Sequence, residues 1–179
     1  WGGQGALADW GCYDLDFMVG LCGWTLEPET VVARAEGLPE HFRQIAQPRN
    51  DVEVAVTAQV QMRGGAVLDY HRAMFAAVDR RREAWRIECE HGALDLQMVP
   101  GSPQLVTERF ANGVVQQEVS VDEAFEWSVI HRGPVIDFAE AVLEDRRPMT
   151  SLRNALTVQR LTDAIYESTR TGGPTTCSR

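Results

Sequence analysis

Lysine is missing from this chain, in which all 17 basic residues are arginine. The 26 acidic residues outnumber them, and the net charge of -9 argues against a protein that binds nucleic acid through charge. No apolar run approaches the ~20 residues of a membrane-spanning helix. The lack of lysine also removes a cation that many active sites use to tune a neighbouring acid or base, so an arginine or another polypeptide would have to supply that charge.

Cysteine and histidine are also scarce. The four cysteines have no CxxC or paired spacing, which favours reduced thiols, and the four histidines lack the spacing of metal ligands, so we predict no metal site. These features favour a cytoplasmic protein. The chain begins with Trp1 and not with Met, which indicates a processed or truncated product whose native N-terminal signal would be invisible here.

The remaining composition is that of a globular protein. With 179 residues and 44% hydrophobic residues, the chain is long enough for one domain with a sizeable core, and we predict a single domain over residues 1–179. Residues 5–22 repeat apolar side chains at helical spacing, and Gly23 is a natural end for that helix. Residues 41–50 read as a loop.

Segments in which apolar and polar residues alternate fill the middle of the chain. They predict strands at 30–35, 51–63, 66–76, 84–89, 93–99, 105–110 and 114–121. The Asn112-Gly113 pair marks a tight hairpin, and consecutive hairpins indicate an antiparallel sheet. The last third predicts two helices, one that starts near Pro134 and runs to Glu144, and one over 151–171 that Ser151 caps and Gly172 ends. The fold class is therefore α+β, with an open, mainly antiparallel sheet and helices on one face.

The first helix carries a polar row that its apolar spacing does not explain. Asp9, Tyr13 and Asp16 lie at i, i+4 and i+7, and so share one face over about 10 Å at ~1.5 Å per residue. A carboxylate and a phenol one turn apart can bind the same ligand hydroxyl, the first accepting and the second donating a hydrogen bond. The alternative is a solvated edge or a loop cap. A tyrosine ordinarily titrates at about pH 10, so proton exchange at neutral pH requires a nearby cation.

Three segments resemble one enzyme family. The segment GGQGALADWGCYDLDFMVGLCG resembles the GGGxLxDxGxHxxD motif that opens the C-terminal domain of Gfo/Idh/MocA oxidoreductases. The segment DFAEAVLEDRRPMTSLRNALTVQRLTDAIYESTRTG is similar to the closing pair of helices, which ends in a tyrosine, serine and glycine pattern. Between them, WRIECEHGALDL resembles a strand-turn-strand segment of the same family.

The resemblance implies a glyceraldehyde-3-phosphate dehydrogenase-like C-terminal domain that completes the substrate site beside an N-terminal Rossmann domain. It also implies an NAD or NADP cofactor, a sugar, cyclitol or similar polyol as substrate, and homo-oligomerisation through the open sheet face. A lysine of the Rossmann domain works with an aspartate, which falls on Asp9, and a histidine, which falls on Tyr13; some relatives have tyrosine there. Further substrate-binding candidates are Trp10, Asp16, His71 and Arg132.

No dinucleotide-binding pattern accompanies these residues. Gly2, Gly3 and Gly5 follow no predicted strand and lack GxGxxG spacing, so we expect the chain alone to bind no cofactor and to be inactive. Two hypotheses remain. The chain is either the substrate and oligomerisation domain of an NAD(P)-dependent oxidoreductase or a non-catalytic module that dimerises. A Rossmann sequence upstream of Trp1 would favour the enzyme.

Overall fold

A computed structural model describes residues 5–43, 52–74, 84–97, 104–110, 113–119 and 127–177. The chain divides into two compact units, one formed by Trp1–Ala77 with Thr150–Arg179 and the other by Val78–Met149. Helices and antiparallel sheets occur together, which confirms the predicted α+β class.

The elements have the following bounds. The helical segments are a π-helical segment Leu7–Gly11, α1 Cys12–Leu21, α2 Glu40–Arg43, α3 Trp127–Leu143 and α4 Leu152–Thr171. The strands are β1 Pro28–Gly37, β2 Glu53–Met62, β3 Val67–Ala73, β4 Ala84–Cys89, β5 Gly92–Gln97, β6 Gln104–Phe110, β7 Gly113–Val119 and β8 Thr175–Thr176. The described strands form two four-stranded antiparallel sheets, in the orders β3-β2-β1-β8 and β4-β5-β6-β7.

The first unit has its core between the inner face of β1, β2 and β3 and the helices α1 and α4. Strict alternation along β2 turns Val54, Val56, Ala58 and Val60 inward, and their neighbours outward. Leu161 and Ile165 of α4 are fully buried in the same cluster. Helices therefore cover one face of this sheet, and its other face is open.

The second unit contains β4 to β7 and α3. Its strands are hairpins joined in sequence order, as the alternating segments predicted. On α3 the apolar residues Val135, Phe138 and Val142 are 61–69% exposed, whereas Ala141 is buried. This helix therefore presents an apolar face to solvent in the structure.

Two predicted boundaries are wrong. Residues 41–43, predicted as loop, lie in the short helix α2. The helix predicted to start near Pro134 starts at Trp127 and contains Pro134 in its interior. Proline suits the first turn of a helix because its nitrogen has no hydrogen to donate, and this preference misplaced the start.

Other predicted positions lie outside the described residues. These are 44–50, the ends of the strands predicted at 66–76, 93–99 and 114–121, and the turn residues Ala111 and Asn112. Within the part of the chain that the structure describes, no helix combines the length and the hydropathy needed to cross a membrane.

Candidate functional site

The polar row of the first helix lies on the exposed side of the π-helical segment and α1. Asp9, Tyr13 and Asp16 are all exposed, and Tyr13 is 66% exposed. Leu15 and Val19, which face inward from α1, are buried. The row is therefore open to a ligand, with a carboxylate and a phenol one turn apart.

The π-helical segment beneath this row is unusual in itself. Its i→i+5 pattern widens the turn, and such segments occur mostly as single turns within α-helices and frequently at functional sites. The segment holds Asp9 and Trp10, and α1 continues from it with Cys12 as its first residue. The helix ends as predicted, because Gly23 has a φ of +67° and donates its N–H to the Gly20 carbonyl at 2.8 Å.

Glu53 of β2 fixes the beginning of this helix. Its Oε2 accepts the N–H of Gly5 at 2.8 Å and its Oε1 accepts the N–H of Leu7 at 3.0 Å. The hydroxyl of Tyr166 on α4 donates to the same Oε1 at 2.8 Å. A helix N-terminus has unpaired N–H groups and a partial positive charge, so a carboxylate there is favourable. Glu53 thus ties the start of the candidate helix to the sheet and to α4.

Close packing sets the distance of the helix from the sheet. A Cβ on Gly5 would lie 1.9 Å from the backbone oxygen of Glu53, and one on Gly11 would lie 2.7 Å from the hydroxyl of Tyr70. A side chain on Gly5 would push the start of the helix away from β2, and one on Gly11 would have to displace the side chains of Tyr70 and Leu7. These two glycines of the GGQGALADWG segment are therefore required by close approach to the sheet.

A buried carboxylate lies beneath the exposed row. Asp14 of α1 is 8% exposed, and its Oδ2 accepts the Tyr70 hydroxyl at 3.0 Å. Nη1 of Arg72 is 3.4 Å from the same oxygen, and both charged side chains are largely buried. Burial raises the pKa of Tyr70 well above its ordinary value, and the negative charge of Asp14 raises it further. Tyr70 therefore remains a hydrogen-bond donor at any ordinary pH.

Arg72 also connects this buried group to the surface. Its guanidinium carbon lies 5.3 Å from the centroid of the Trp10 ring, within the range of a cation–π interaction. Trp10 in turn meets Tyr13 edge-on, with ring centroids 6.4 Å apart and planes at 62°. Trp10 is 37% exposed, so the pair offers an aromatic edge on the helix that also exposes Asp9.

This site lies in the part of the chain that matches a known protein family. A family model described as GFO/IDH/MocA C-terminal domain matches residues 1–95. The chain belongs to this family. The match covers the π-helical segment, α1 to α2 and the first sheet apart from β8, and so includes the whole exposed row. No curated protein matches the chain.

Solved structures share the fold of this GFO/IDH/MocA C-terminal domain over nearly its entire length. Levoglucosan dehydrogenase in complex with NADH and L-sorbose is 18% identical with a TM-score of 0.81, over 99% of this chain and 51% of that one. An oxidoreductase domain protein from Kribbella flavida is 17% identical with a TM-score of 0.80, over 99% and 52% of the two chains.

A third solved relative differs more in structure. Aldose-aldose oxidoreductase from Caulobacter crescentus, complexed with glycerol, is 21% identical with a TM-score of 0.71, over 97% of this chain and 48% of that chain. This GFO/IDH/MocA C-terminal domain therefore spans about half the length of the solved proteins that it resembles.

The other residues predicted for the site lie in different places. Asp16 follows Tyr13 along α1, and loss of surrounding water raises the pKa of its carboxyl group above the ordinary value. His71 lies on the open face of the sheet, where its Nδ1 is 3.0 Å from the Thr57 hydroxyl. Arg132 lies on α3 of the second unit, where it is exposed. The structure thus brings the rings of Trp10 and Tyr13 together and exposes Asp9 on the same helix, and it places His71 on the opposite face of the first sheet.

Sequence reasoning did not assign roles to Glu53, Asp14 or Tyr70. Tyr70 and Arg72 stand two residues apart on a strand, so alternation alone puts them on one face and His71 on the other. Asp14 interrupts the apolar side of α1, and a carboxylate on a buried face requires a partner. The partner itself could not be identified, because it comes from a strand 56 residues away.

A dinucleotide and a metal ion each require a particular arrangement of residues. A dinucleotide cradle needs a strand, a glycine-rich turn and a helix within a parallel crossover, whereas all pairings between described strands are antiparallel. Among the same residues, no group of three or more His, Cys, Asp or Glu side chains is placed to hold a metal ion. The described part of the chain therefore does not fit a dinucleotide.

Proposed function

We propose that this chain is the C-terminal domain of an NAD(P)-dependent oxidoreductase that acts on a sugar, cyclitol or similar polyol, and that it supplies substrate-binding and oligomerisation surfaces. The observation that carries the proposal is the exposed row of Asp9 and Tyr13 beside Trp10. The helix that carries this row is held at its start by Glu53 of the sheet. A rigid element is a suitable support for groups that must meet a substrate hydroxyl with defined geometry.

Two side chains have distinct roles in this proposal. Tyr13 exchanges the proton of the substrate hydroxyl through its phenol, and Asp9 accepts a hydrogen bond that orients the substrate or the phenol. Trp10 offers an apolar ring edge to the carbon face of the sugar, and Asp16 extends the polar row. The dinucleotide is held by another domain, because the described residues do not form a cradle for it.

The names of the solved relatives support the choice of substrate and cofactor. One is a levoglucosan dehydrogenase bound to NADH and L-sorbose, and another is an aldose-aldose oxidoreductase bound to glycerol. L-sorbose and glycerol each carry several neutral hydroxyl groups. A row made of one carboxylate and one phenol, with an aromatic edge beside it, suits such a ligand.

The oligomerisation part of the proposal rests on the open face of the first sheet. A shallow cleft of about 430 Å³ crosses this face. Its exposed side chains pair across strands, Thr57 with His71 at 3.0 Å and Gln59 with Asp69 at 2.9 Å, and Val32 is 50% exposed beside them. An open sheet face with prearranged side chains suits a second copy of the chain. The non-catalytic dimerising module remains the alternative and uses the same face.

The test begins with the gene upstream of the codon for Trp1. We expect a Rossmann domain there and, in the longer product, oxidation of polyols that depends on NAD or NADP. Tyr13→Phe and Asp9→Asn should each lower kcat by about 10²- to 10⁴-fold, the range of general acid–base catalysis. Asp163→Asn, an exposed carboxylate on α4, is the matched control. An unrelated upstream domain would support the non-catalytic module, and variants with wild-type turnover would contradict the roles proposed for Asp9 and Tyr13.

A further inference from the structure

A buried group of three side chains lies directly beneath the candidate site and has no part in the chemistry proposed above. It consists of Asp14, Tyr70 and Arg72, which we call the Asp14 cluster. A buried carboxylate is costly unless it is paired and hydrogen-bonded, and here a single oxygen, Oδ2, meets both the Tyr70 hydroxyl and Arg72 Nη1. The cluster therefore holds Arg72 at a fixed place in the fold.

Arg72 faces two partners at once. Its Nη1 is 3.4 Å from Asp14, and its guanidinium carbon lies 5.3 Å from the centre of the Trp10 ring. A guanidinium is planar, so it can direct N–H groups at a carboxylate while its charge lies over an aromatic ring. An ammonium group is a compact point charge without that planar surface. The arrangement therefore depends on arginine itself and not on positive charge alone.

Trp10 links Arg72 to the exposed row. Trp10 and Tyr13 meet edge to face with their centroids 6.4 Å apart, and they are 37% and 66% exposed. Exposed aromatic side chains ordinarily exchange between rotamers, so an indole with protein on one side only would occupy several orientations. A guanidinium anchored to the buried cluster restricts that freedom.

We propose that Arg72 is a positioning residue, which holds the Trp10 indole in one orientation and thereby sets the surface that Trp10 and Tyr13 offer to a sugar or polyol ring. The assignment of the ligand rests on the proposed function, whereas the fixed orientation of Trp10 does not. Arg72 acts through Trp10 and exchanges no proton with the substrate.

The first test observes Trp10 without any substrate. The chain is labelled with 5-fluorotryptophan, and the resonance of Trp10 is assigned by its loss in Trp10→Phe. We expect Arg72→Lys to move and broaden that resonance while the other four tryptophan resonances stay in place. Arg63→Lys makes the same substitution at an exposed ion pair with Glu27 and should leave Trp10 unchanged. An unchanged Trp10 resonance in Arg72→Lys would overturn the positioning role.

The second test measures catalysis in the longest gene product that contains these residues. Arg72→Lys should lower kcat/KM for the polyol about tenfold and leave KM for the dinucleotide unchanged. In a Trp10→Leu background, Arg72→Lys should cause no further loss, because the residue through which it acts is gone. Additive losses in the two variants would contradict the proposal.

The two tests separate the possible failures. A longer product that oxidises no polyol would contradict the proposed function, and the fluorine resonance would still decide whether Arg72 positions Trp10. If Arg72→Lys does not fold, Asp14→Asn replaces it, because the amide oxygen still accepts hydrogen bonds but the anchoring charge is lost. The Trp10 resonance should then move and broaden, and an unchanged resonance would overturn the proposal.

Discussion

Glu53 is the residue on which the beginning of the candidate helix depends. Its two oxygens accept three hydrogen bonds, from the N–H groups of Gly5 and Leu7 and from the hydroxyl of Tyr166. This explains the tyrosine of the closing Tyr-x-Ser pattern. Tyr166 orients the carboxylate of Glu53, which caps a helix more than a hundred residues earlier in the chain.

We expect Glu53→Gln to lower the free energy of unfolding by about 1–3 kcal/mol. An amide can offer only one acceptor oxygen, and its NH₂ group would face donors that it cannot satisfy. Urea denaturation followed by circular dichroism measures the change. Glu29→Gln, an exposed position on β1, is the matched control and should stay within 0.5 kcal/mol of wild type, as is usual for surface positions. A Glu53→Gln variant as stable as this control would show that the cap contributes little.

Two tyrosines make a separate prediction about alkaline pH. Burial raises the pKa of Tyr70, helped by the charge of Asp14, and burial together with the hydrogen bond to Glu53 raises the pKa of Tyr166. A tyrosine ordinarily titrates at about 10. The folded protein therefore keeps both phenols protonated where the unfolded chain begins to lose its protons.

The sign of the effect follows from linkage. Because the folded pKa exceeds the unfolded one, the stabilisation is complete below about pH 10 and is lost as the pH rises from there towards the folded pKa. We expect the urea midpoint to fall between pH 9.5 and 11, and to fall less steeply in Tyr70→Phe and in Tyr166→Phe. Equal slopes in wild type and both variants would contradict the assignment.

At the scale of elements, Ser168 joins α4 to the first sheet. It is fully buried, and its Oγ accepts the N–H of Ala33 on β1 at 2.9 Å and donates to the carbonyl of Gly173 at 2.7 Å. One hydroxyl thus satisfies a backbone N–H of β1 and a backbone carbonyl just after the end of α4. This explains the serine of the closing pattern as a structural connection and not as a nucleophile.

Ser168→Ala should lower the free energy of unfolding by about 1–3 kcal/mol, because the Ala33 N–H would be left buried without an acceptor. Thermal and urea denaturation measure the loss. Thr171→Ala lies on the exposed side of the same helix, where its hydroxyl bonds the Glu167 carbonyl, and should change stability by less than about 0.5 kcal/mol. Similar losses in the two variants would argue against a special role for Ser168.

Elements with a local signal were predictable from sequence. Ser151 accepts the Asn154 N–H at 3.1 Å and Gly172 adopts a φ of +70°, so both ends of α4 agree with the prediction. Elements that depend on distant partners were not predictable. The two-residue strand β8 exists because it pairs with Thr30 and Val31 of β1. The early start of α3 was missed for another reason, since it contradicts the usual place of proline in a helix.

The same distinction applies to the candidate site. The spacing of Asp9, Tyr13 and Asp16 indicates one helical face, and the structure places all three on the exposed side. The partners beneath them, Glu53 of β2 and Tyr70 and Arg72 of β3, come from strands of distant sequence, and no local pattern pairs them with the helix. Alternation along β3 predicts only that Tyr70 and Arg72 share a face, not what they meet.

At the scale of the whole molecule, the proposed dehydrogenase activity requires more than the described residues supply. The chain holds an exposed acid–phenol row on a rigid helix, while its described strands pair only in antiparallel fashion and offer no cradle for a pyrophosphate. A nicotinamide site and a substrate site must meet for hydride transfer, so the proposed activity requires a second polypeptide segment over the row.

We therefore expect the 179-residue chain alone to bind neither NADH nor NADPH. Titration of either cofactor with the chain should leave nicotinamide fluorescence unchanged, whereas the longer gene product should give a saturable change. The longer product carrying Tyr13→Phe is the matched control, because it should bind the cofactor as wild type does while it oxidises polyol slowly. Saturable binding by the short chain would show that residues outside a Rossmann cradle hold the dinucleotide, and the division of labour proposed here would be wrong.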